Sequence, residues 1–313
     1  SQQDEIWMED LLGQSQAMRR VFQQIEDIAQ TNAPVFITGE TGTGKELVAR
    51  AIHSRSKRLF SPFVAINCGA VSQTLLESEL FGHERGAFTG ATKVRRGRIE
   101  LAHTGTLFLD EVGEISPRMQ VTLLRVLEKN TFFRLGGSRE IESDFRLICA
   151  THRDIPALIA ASDFRQDFYF RINVINIHIP PLRDRVDDIS LLALHFLGKF
   201  SREMGKSVEG LSPEAFGLLN AYDWPGNVRE LSSAIERAVT FCDGDTIQPD
   251  HLPERIRKRQ GGATTPKTAH SSDTIAQWPT LEKLQQDYVR EVMQAVYGNK
   301  RRAAQILGIN RRT

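Results

Sequence analysis

A glycine-rich segment that ends in a lysine offers the clearest chemistry in this sequence. Gly39 and Gly44-Lys45 fit the pattern G-x-x-x-x-G-K, between an apolar run at 35–38 and residues with the apolar spacing of a helix. In such a turn backbone N–H groups approach a polyphosphate, the helix adds the positive end of its dipole, and the lysine contacts the outer phosphates. An ordinary glycine-rich turn does not require this lysine, so the segment predicts a phosphate-binding loop.

Two adjacent carboxylates follow another apolar run. Residues 106–109 predict a buried strand, and Asp110 and Glu111 come at its end. Because side chains alternate along a strand, we expect the two acids to point different ways, one towards a magnesium ion and the other towards an attacking water. Glu46 stands where a magnesium-binding serine or threonine is usual, so Thr43, water or carboxylates elsewhere would hold the metal. These acids predict the second half of a nucleotide site.

Polar residues also end a third apolar run, at 145–150. Thr151 and His152 would lie near the terminal phosphate if this strand neighbours the one that ends at Asp110. The alternative is an ordinary strand end at the surface. The residues themselves leave both interpretations open.

Three arginines could meet an anion. Arg165 and Arg171 lie on a helix predicted to begin at Asp163, and their separation is about 240° of rotation, so they cannot share one face. Each could also be an ordinary surface arginine. Arg229 lies in the first turn of a helix that Asn227 is predicted to cap. A cation is unfavourable there, which indicates an external anion such as ATP, although a pair with a neighbouring acid is the alternative.

An apolar tip stands between Gly86 and Gly90. Its side chains are Ala87, Phe88 and Thr89, and Ala91 follows. A simple turn would favour polar residues instead. Composition leaves open whether this tip is a buried loop or a projecting contact, because phenylalanine is more often found in a core.

Composition limits the possible classes of protein. The chain has 313 residues, with 40 Lys and Arg against 39 Asp and Glu, so its overall charge requires neither a nucleic acid nor a membrane partner. Cys68, Cys149 and Cys242 are widely spaced, which favours a reducing cytoplasm over a disulfide framework. No long apolar stretch is present, so we expect no membrane span.

The order of the patterns predicts four regions. Residues 1–181 predict a doubly wound α/β subdomain with a parallel sheet, and residues 182–258 predict an all-helical subdomain. Residues 259–279 have the composition of a flexible linker. Residues 280–313 predict the start of a helix-turn-helix that is truncated before its recognition helix is complete. Its basic residues, expected to contact DNA phosphates, include Arg301, Arg302, Arg311 and Arg312.

Several motifs together resemble one protein family. They are Gly39–Glu46, Glu79–His83, Gly86–Ala91, Gly105–Glu111, Phe164-Arg165 with Phe170-Arg171, and Trp224–Leu231. The set resembles bacterial enhancer-binding proteins, the AAA+ activators of sigma-54 RNA polymerase. The resemblance covers roughly residues 10–255 and continues as a Fis-like helix-turn-helix. The sequence GAFTGA at 86–91 is its most specific part.

The resemblance implies roles for individual residues. Asp110 is similar to the Walker B residue that holds Mg through water, and Glu111 to the residue that activates water. Asn67 is similar to an asparagine that holds this glutamate inactive until the ligand loop engages. Thr151 and His152 fall at sensor I, where many relatives have asparagine at the second position. The implied ATP-binding residues are Leu12 and Gly13 near the adenine, the Walker A residues Gly39, Glu40, Thr41, Gly42, Thr43, Gly44, Lys45 and Glu46, and Arg229 at sensor II.

The resemblance also implies partners and an assembly. Gly86, Ala87, Phe88, Thr89, Gly90 and Ala91 would contact sigma-54, and the helix-turn-helix would bind enhancer DNA. Subunits would form a cytoplasmic ring, usually a hexamer, in which Arg165 and Arg171 reach the neighbouring subunit's ATP. Competing hypotheses are an AAA+ motor of another branch, which would not need the GAFTGA tip, and a repressor that only senses ATP. The latter would not need Asp110 and Glu111.

Overall fold

The computed structural model describes residues 11–89 and 91–258. Gly90 and the predicted linker and helix-turn-helix, with Arg301, Arg302, Arg311 and Arg312, lie outside the described residues. Within the described ranges, no helix is long and apolar enough to cross a lipid bilayer.

A parallel five-stranded sheet carries the first part of the fold. The strands of the protein are β1 (Val35–Thr38), β2 (Phe63–Asn67), β3 (Gly82–His83), β4 (Arg95–Arg96), β5 (Thr106–Asp110), β6 (Thr131–Phe133), β7 (Glu140–Glu142), β8 (Arg146–Thr151), β9 (Ile175–His178), β10 (Gly210–Leu211) and β11 (Thr246–Ile247). The order in the five-stranded sheet is β2-β5-β8-β1-β9, so β1, the strand before the phosphate-binding loop, lies between the strands that end near Thr151 and His178. The pairs β3–β4, β6–β7 and β10–β11 form separate small ladders.

Helices cover the sheet and build the second part of the fold. They are α1 (Gln16–Ala29), α2 (Lys45–Ser54), α3 (Gln73–Phe81), α4 (Arg98–Leu101), α5 (Pro117–Lys129), α6 (Ile155–Ala160), α7 (Gln166–Ile172), α8 (Asp187–Met204), α9 (Pro213–Asn220), α10 (Asn227–Phe241) and α11 (Glu254–Arg257). The Ser15 side chain caps α1 by accepting a hydrogen bond from the Met18 N–H, as predicted. Pro117 occupies the first turn of α5 after Ser116, as the Ser-Pro start signal predicts.

Alternation along the strands divides the apolar side chains between two faces of the sheet. Phe36, Leu107 and Leu109 pack in one cluster with α3, α5 and α7. Ile37 and Phe108 pack in another, with α1 and α2. Because the inner strands β1, β5 and β8 bury both faces, their runs are largely apolar, as in other parallel sheets. The sheet is therefore the middle layer of an α/β/α sandwich, and its carboxyl ends carry the polar residues.

The helical part has its own core. Trp224 is fully buried in it, and the indole N–H donates to the Leu219 carbonyl at 2.8 Å. Leu12 packs into the same cluster although it precedes the sheet. The buried carboxylate of Asp188 accepts hydrogen bonds from the Gln14 N–H, the Ser15 N–H and the Ser15 hydroxyl at 2.6–2.8 Å. Residues 12–15 therefore contact the helical part, while the predicted boundary at 181 stays a prediction.

Candidate functional site

The predicted phosphate-binding loop joins β1 to α2. Gly42 and Gly44 have left-handed backbones, with φ of 81° and 103°, which glycine adopts without a steric penalty. Lys45 is buried, and its Nζ donates to the carbonyls of Gly39 and Glu40 at 3.1 and 3.2 Å. Burial lowers the pKa of Lys45, and the nearby carboxylates of Glu111 and Asp110 oppose that shift. The loop therefore places a charged lysine where phosphates would lie.

Asp110 and Glu111 lie beside this lysine. Strand β5 ends at Asp110, and Glu111 has a left-handed backbone with φ of 52°. The alternation of a strand therefore does not continue through Glu111, and both residues line the same cleft. That one acid faces a magnesium ion and the other an attacking water stays a prediction. Burial and the neighbouring Glu111 raise the pKa of Asp110.

Neighbouring strands hold the two carboxylates differently. The Asn67 side chain, at the end of β2, donates to Asp110 Oδ2 at 3.2 Å, and β2 pairs Asn67 with Asp110. From β8, which neighbours β5 as the sensor hypothesis requires, the His152 ring Nδ1 lies 2.6 Å from Glu111 Oε2. Because a carboxylate can only accept, the ring N–H is the donor. In this structure His152 contacts Glu111 directly, and Asn67 contacts Asp110, the residue before Glu111.

The cleft around these groups has a volume of about 880 Å³. It contains many predicted residues, namely Thr41, Gly42, Gly44, Lys45, Glu46, Asn67, Asp110, Glu111, His152 and Arg229. Leu12 and Gly13 lie elsewhere: Leu12 packs in the core of the helical part, and Gly13 lies against Met18 and Asp188. Sequence reasoning missed Phe196 of α8 and Ser232-Ser233 of α10, because their types suit any helix and only the packing brings them to the cleft.

Arg229 reaches the cleft from the helical part. Its backbone N–H donates to the Gly42 carbonyl at 3.3 Å, and its guanidinium lines the cleft. The neighbouring Glu230 is engaged elsewhere: it accepts from the Gly226 N–H at 2.8 Å and pairs with Arg255 at 2.9 Å. Within the described part of the chain Arg229 makes no ion pair at 4.0 Å or less. The local ion-pair alternative therefore finds no support here.

Asn227 does not cap α10, so this prediction is wrong. It is the first residue of the helix, has a left-handed backbone with φ of 52°, and is fully buried. Its side-chain oxygen accepts from the Leu182 N–H at 2.7 Å. Its amide group donates to the Thr41 carbonyl at 3.0 Å and to Glu40 Oε2 at 3.1 Å. Asn227 therefore faces the phosphate-binding loop.

Arg165 and Arg171 lie outside the cleft. Arg165 precedes α7 and pairs with Asp167 at 2.6 Å, and Arg171 Nη2 donates to the Leu127 carbonyl at 2.6 Å. Both side chains are exposed. The predicted helix start at Asp163 is wrong, because the N–H of Asp163 donates to the Leu158 carbonyl and so closes α6.

Further residues of the Walker A and sensor predictions make contacts within the protein. The Thr43 hydroxyl donates to the Glu40 carbonyl at 2.8 Å. Thr151 is buried and accepts from the Arg153 N–H at 3.1 Å. Glu46 binds Arg50 at 2.7 Å one helical turn later. A direct contact of Thr151 with a ligand stays a prediction.

The GAFTGA tip is at the surface. Phe88 is 45% exposed and its ring contacts His83 edge-on, with centroids 4.9 Å apart. Thr89 is exposed, whereas Ala91 is buried and its carbonyl accepts from the Gly86 N–H at 2.8 Å. This closed turn stands on the short β3–β4 ladder. Of the two alternatives, the tip is the projecting one.

The donors in the cleft suit a magnesium nucleotide. Gly42 approaches the Gly226 carbonyl so closely that an added Cβ would collide with it, and the N-terminus of α2 has no side-chain cap. Free N–H groups at a helix start bind phosphate. Asp110 and Glu111 offer oxygen ligands only, as magnesium prefers, and magnesium takes one or two carboxylates together with phosphate oxygens.

The fold and this cleft define a class of protein, the AAA+ P-loop ATPases. Comparison with known families is consistent with it: the Sigma-54 interaction domain matches residues 11–178, the AAA+ ATPase lid domain matches 183–269, and the Fis family of bacterial regulatory proteins matches 280–313. The chain therefore belongs to the Sigma-54 interaction domain family, whose AAA+ ATPase domain serves sigma-54-dependent transcriptional activation. The predicted resemblance and fold class are confirmed.

Two relatives illustrate the similarity. The transcriptional regulatory protein ZraR of Escherichia coli K12 is 48% identical over 303 residues, 97% of this chain and 67% of ZraR. The regulatory protein AtoC of the same organism is 46% identical over 302 residues, 96% of this chain and 65% of AtoC. The chain thus spans about two thirds of the length of these relatives.

Solved structures of NtrX from Brucella abortus are also similar. The complex with ATP has a TM-score of 0.72 at 32% identity, and covers 96% of this chain and 67% of NtrX. The complex with ADP has a TM-score of 0.73 at 34% identity, and covers 96% and 66%. The α/β core with its helical lid is therefore an ATPase domain. Residues 182–258 are called the lid below.

Proposed function

We propose that this chain forms a cytoplasmic ring, a hexamer when active, that uses ATP hydrolysis to remodel the closed promoter complex of sigma-54 RNA polymerase. The C-terminal helix-turn-helix would hold the ring at enhancer DNA. One observation carries the proposal: the fold that brings Lys45, Asp110 and Glu111 into one cleft also leaves the aromatic tip with Phe88 on the surface. A motor without a partner at this tip has no need of an exposed phenylalanine there.

Within each site the residues divide the work. Lys45 and Arg229 bind phosphate oxygens, and Glu111 accepts the proton of the attacking water while His152 orients it. Asp110 would hold magnesium, which supplies positive charge to the developing phosphate charge. Arg165 and Arg171 lie outside their own cleft, so they would serve the site of the adjoining subunit. Such fingers are worth about a thousandfold or more in hydrolysis.

The link from the cleft to the tip runs along α3. The Gln73 side chain at the start of this helix donates to the Glu114 carbonyl at 2.8 Å and accepts from the Ser116 N–H at 3.3 Å. Residues 112–114 follow Glu111 directly, and α3 ends at Gly82, where the tip ladder begins. A change around Glu111 would therefore move α3 and raise or lower the tip.

The experiment is a binding assay with a transition-state mimic. Full-length protein with ADP–aluminium fluoride should retain purified sigma-54 on a gel-filtration column, and should lose it without nucleotide. Thr89→Ala, an exposed position of the tip, should hydrolyse ATP at a normal rate and retain no sigma-54. Retention by Thr89→Ala, or none by the unaltered protein in any nucleotide state, would contradict the proposal.

A further inference from the structure

Residues of the lid donate hydrogen bonds to backbone carbonyls of the phosphate-binding loop. Three consecutive loop carbonyls each accept a hydrogen bond from a lid residue. They are Thr41 from Asn227 Nδ2 at 3.0 Å, Gly42 from the Arg229 N–H at 3.3 Å, and Thr43 from Arg185 Nη2 at 3.1 Å. A loop whose carbonyls are fixed on one side presents its N–H groups on the other, which is the side that phosphate needs.

A side chain of the loop takes part as well. The Glu40 carboxylate receives Arg183 at 2.5 and 2.9 Å and Asn227 at 3.1 Å, so two lid residues meet on it. The Gly42 backbone also touches the Gly226 backbone so closely that only glycine fits. These contacts, made by Glu40, Arg183, Arg185, Asn227 and Arg229, are called the clasp.

Asn227 is the centre of the clasp. It is fully buried, and its side chain uses both amide hydrogens and the oxygen on three separate partners: the Leu182 N–H, the Thr41 carbonyl and Glu40. Its left-handed backbone is uncommon outside glycine and is tolerated by asparagine. A side chain that needed only to fill space or start a helix would not require a donor and an acceptor at these points.

We propose that Asn227, with Glu40, is a positioning residue for nucleotide binding: the clasp holds the loop ready for phosphate, so the position of the lid sets the affinity for nucleotide. The inference rests on the nucleotide assignment of the cleft and goes beyond it, since neither residue needs to touch the nucleotide. Movement of the lid would then change how the loop holds nucleotide, in addition to moving Arg229.

The experiment exchanges donor and acceptor across the clasp. Asn227→Asp replaces the amide donor by an oxygen facing Glu40 and Thr41, and should weaken the binding of the fluorescent nucleotide mant-ADP about tenfold. Glu40→Gln then offers a donor to the carboxylate introduced at position 227, and the double variant should bind more tightly than the product of the two single effects predicts. Asn220→Asp, an exposed lid position away from the loop, should bind like the unaltered protein.

The affinity for mant-ADP and the unfolding temperature together distinguish a positioning role of Asn227 from a purely structural one. A purely structural role of Asn227 would lower the unfolding temperature of Asn227→Asp, leave affinity unchanged, and give no coupling with Glu40; that result would overturn the clasp. If Asn227→Asp does not fold, Glu40→Ala replaces it, because this side chain is half-exposed and its truncation leaves no cavity in a core; it should weaken mant-ADP about tenfold, and unchanged affinity would overturn the proposal. Failure of the unaltered protein to bind mant-ADP would instead contradict the nucleotide assignment.

Discussion

Lys45 is fixed before any phosphate has to be bound. Its Nζ lies 3.8 Å from Glu111 Oε1 and donates to two loop carbonyls, so the buried amino group of Lys45 is held in place for phosphate. We expect Lys45→Ala to weaken nucleotide binding by about a hundredfold or more, because several charge-assisted hydrogen bonds are lost. Titration with mant-ATP measures this. Lys129→Ala, at the exposed end of α5, is the matched control, and equal affinity of the two variants would contradict the role of Lys45.

His152 gives a second expectation. Without its ring, Glu111 would lose the partner that orients it, so His152→Ala should lower kcat about tenfold with little change in nucleotide affinity. His152→Asn keeps a side-chain donor and should retain most of the rate. Steady-state rates of hydrolysis, measured over a range of ATP concentrations at one protein concentration where subunits associate, separate kcat from KM. An unchanged kcat in His152→Ala would show that Glu111 is oriented without it.

Glu40 links stability to pH. Hydrogen bonds from Arg183 and Asn227 lower the pKa of Glu40 from 4.5 to about 2. The ionised carboxylate therefore stabilises the fold above pH 4.5, and this contribution is lost as the pH falls towards 2. The gap in unfolding temperature between the unaltered protein and Glu40→Gln should be constant from pH 7 to about pH 5 and narrow below it. Differential scanning fluorimetry checks this, and a gap that widens on acidification would contradict it.

The chemical types of the site residues could be predicted, but their directions could not. Glycine spacing with a lysine and two terminal acids requires a phosphate site whatever the detailed backbone. That both Asp110 and Glu111 line one cleft depends on the left-handed backbone of Glu111, for which glutamate gives no sequence signal. Asn227 was assigned to the nearest local task, capping, because its real partners are 45 to 187 residues away in the chain.

In the proposed mechanism, helix α3 links the cleft to the tip. Gln73 is exposed at its start, and its two hydrogen bonds tie the helix to the segment after Glu111. We expect Gln73→Ala to keep ATP hydrolysis within about twofold while sigma-54 retention with ADP–aluminium fluoride falls strongly, because an exposed truncation leaves the core intact. Gln166→Ala, the exposed first residue of α7, is the control. Loss of hydrolysis and retention together would place Gln73 in the catalytic apparatus instead.

Long apolar patterns predicted most elements in advance. The strands at β1, β2, β5 and β8 and the helices α1, α5, α9 and α10 lie where periodicity predicts them. The start of α7 was misplaced because residues 163–165 close the preceding helix by hydrogen bonds that no local propensity encodes. The strand order β2-β5-β8-β1-β9 is likewise a product of packing between distant segments, and the sequence offers only the condition that β5 and β8 be neighbours.

The proposed ring gives a prediction at the scale of the whole molecule. Arg165 lies outside its own cleft, so Arg165→Ala and Glu111→Gln should each be nearly inactive alone. In a mixture, the intact Arg165 of one variant can serve the intact Glu111 of the other. We expect the mixed protein to hydrolyse ATP at least several times faster than either variant alone, at concentrations where subunits associate. If Arg165→Ala hydrolysed ATP as fast as the unaltered protein at concentrations where subunits associate, the finger would be dispensable.

The buried Asp188 limits how the lid can be transferred to another ATPase. The partners of Asp188 come from Gln14 and Ser15, some 173 residues earlier in the chain. Residues 182–258 grafted alone onto another ATPase would leave the Asp188 carboxylate without these hydrogen bonds, and each one lost at a site that stays buried costs about 1–3 kcal/mol. A chimera must therefore include Gln14 and Ser15, or equivalent donors from the other ATPase.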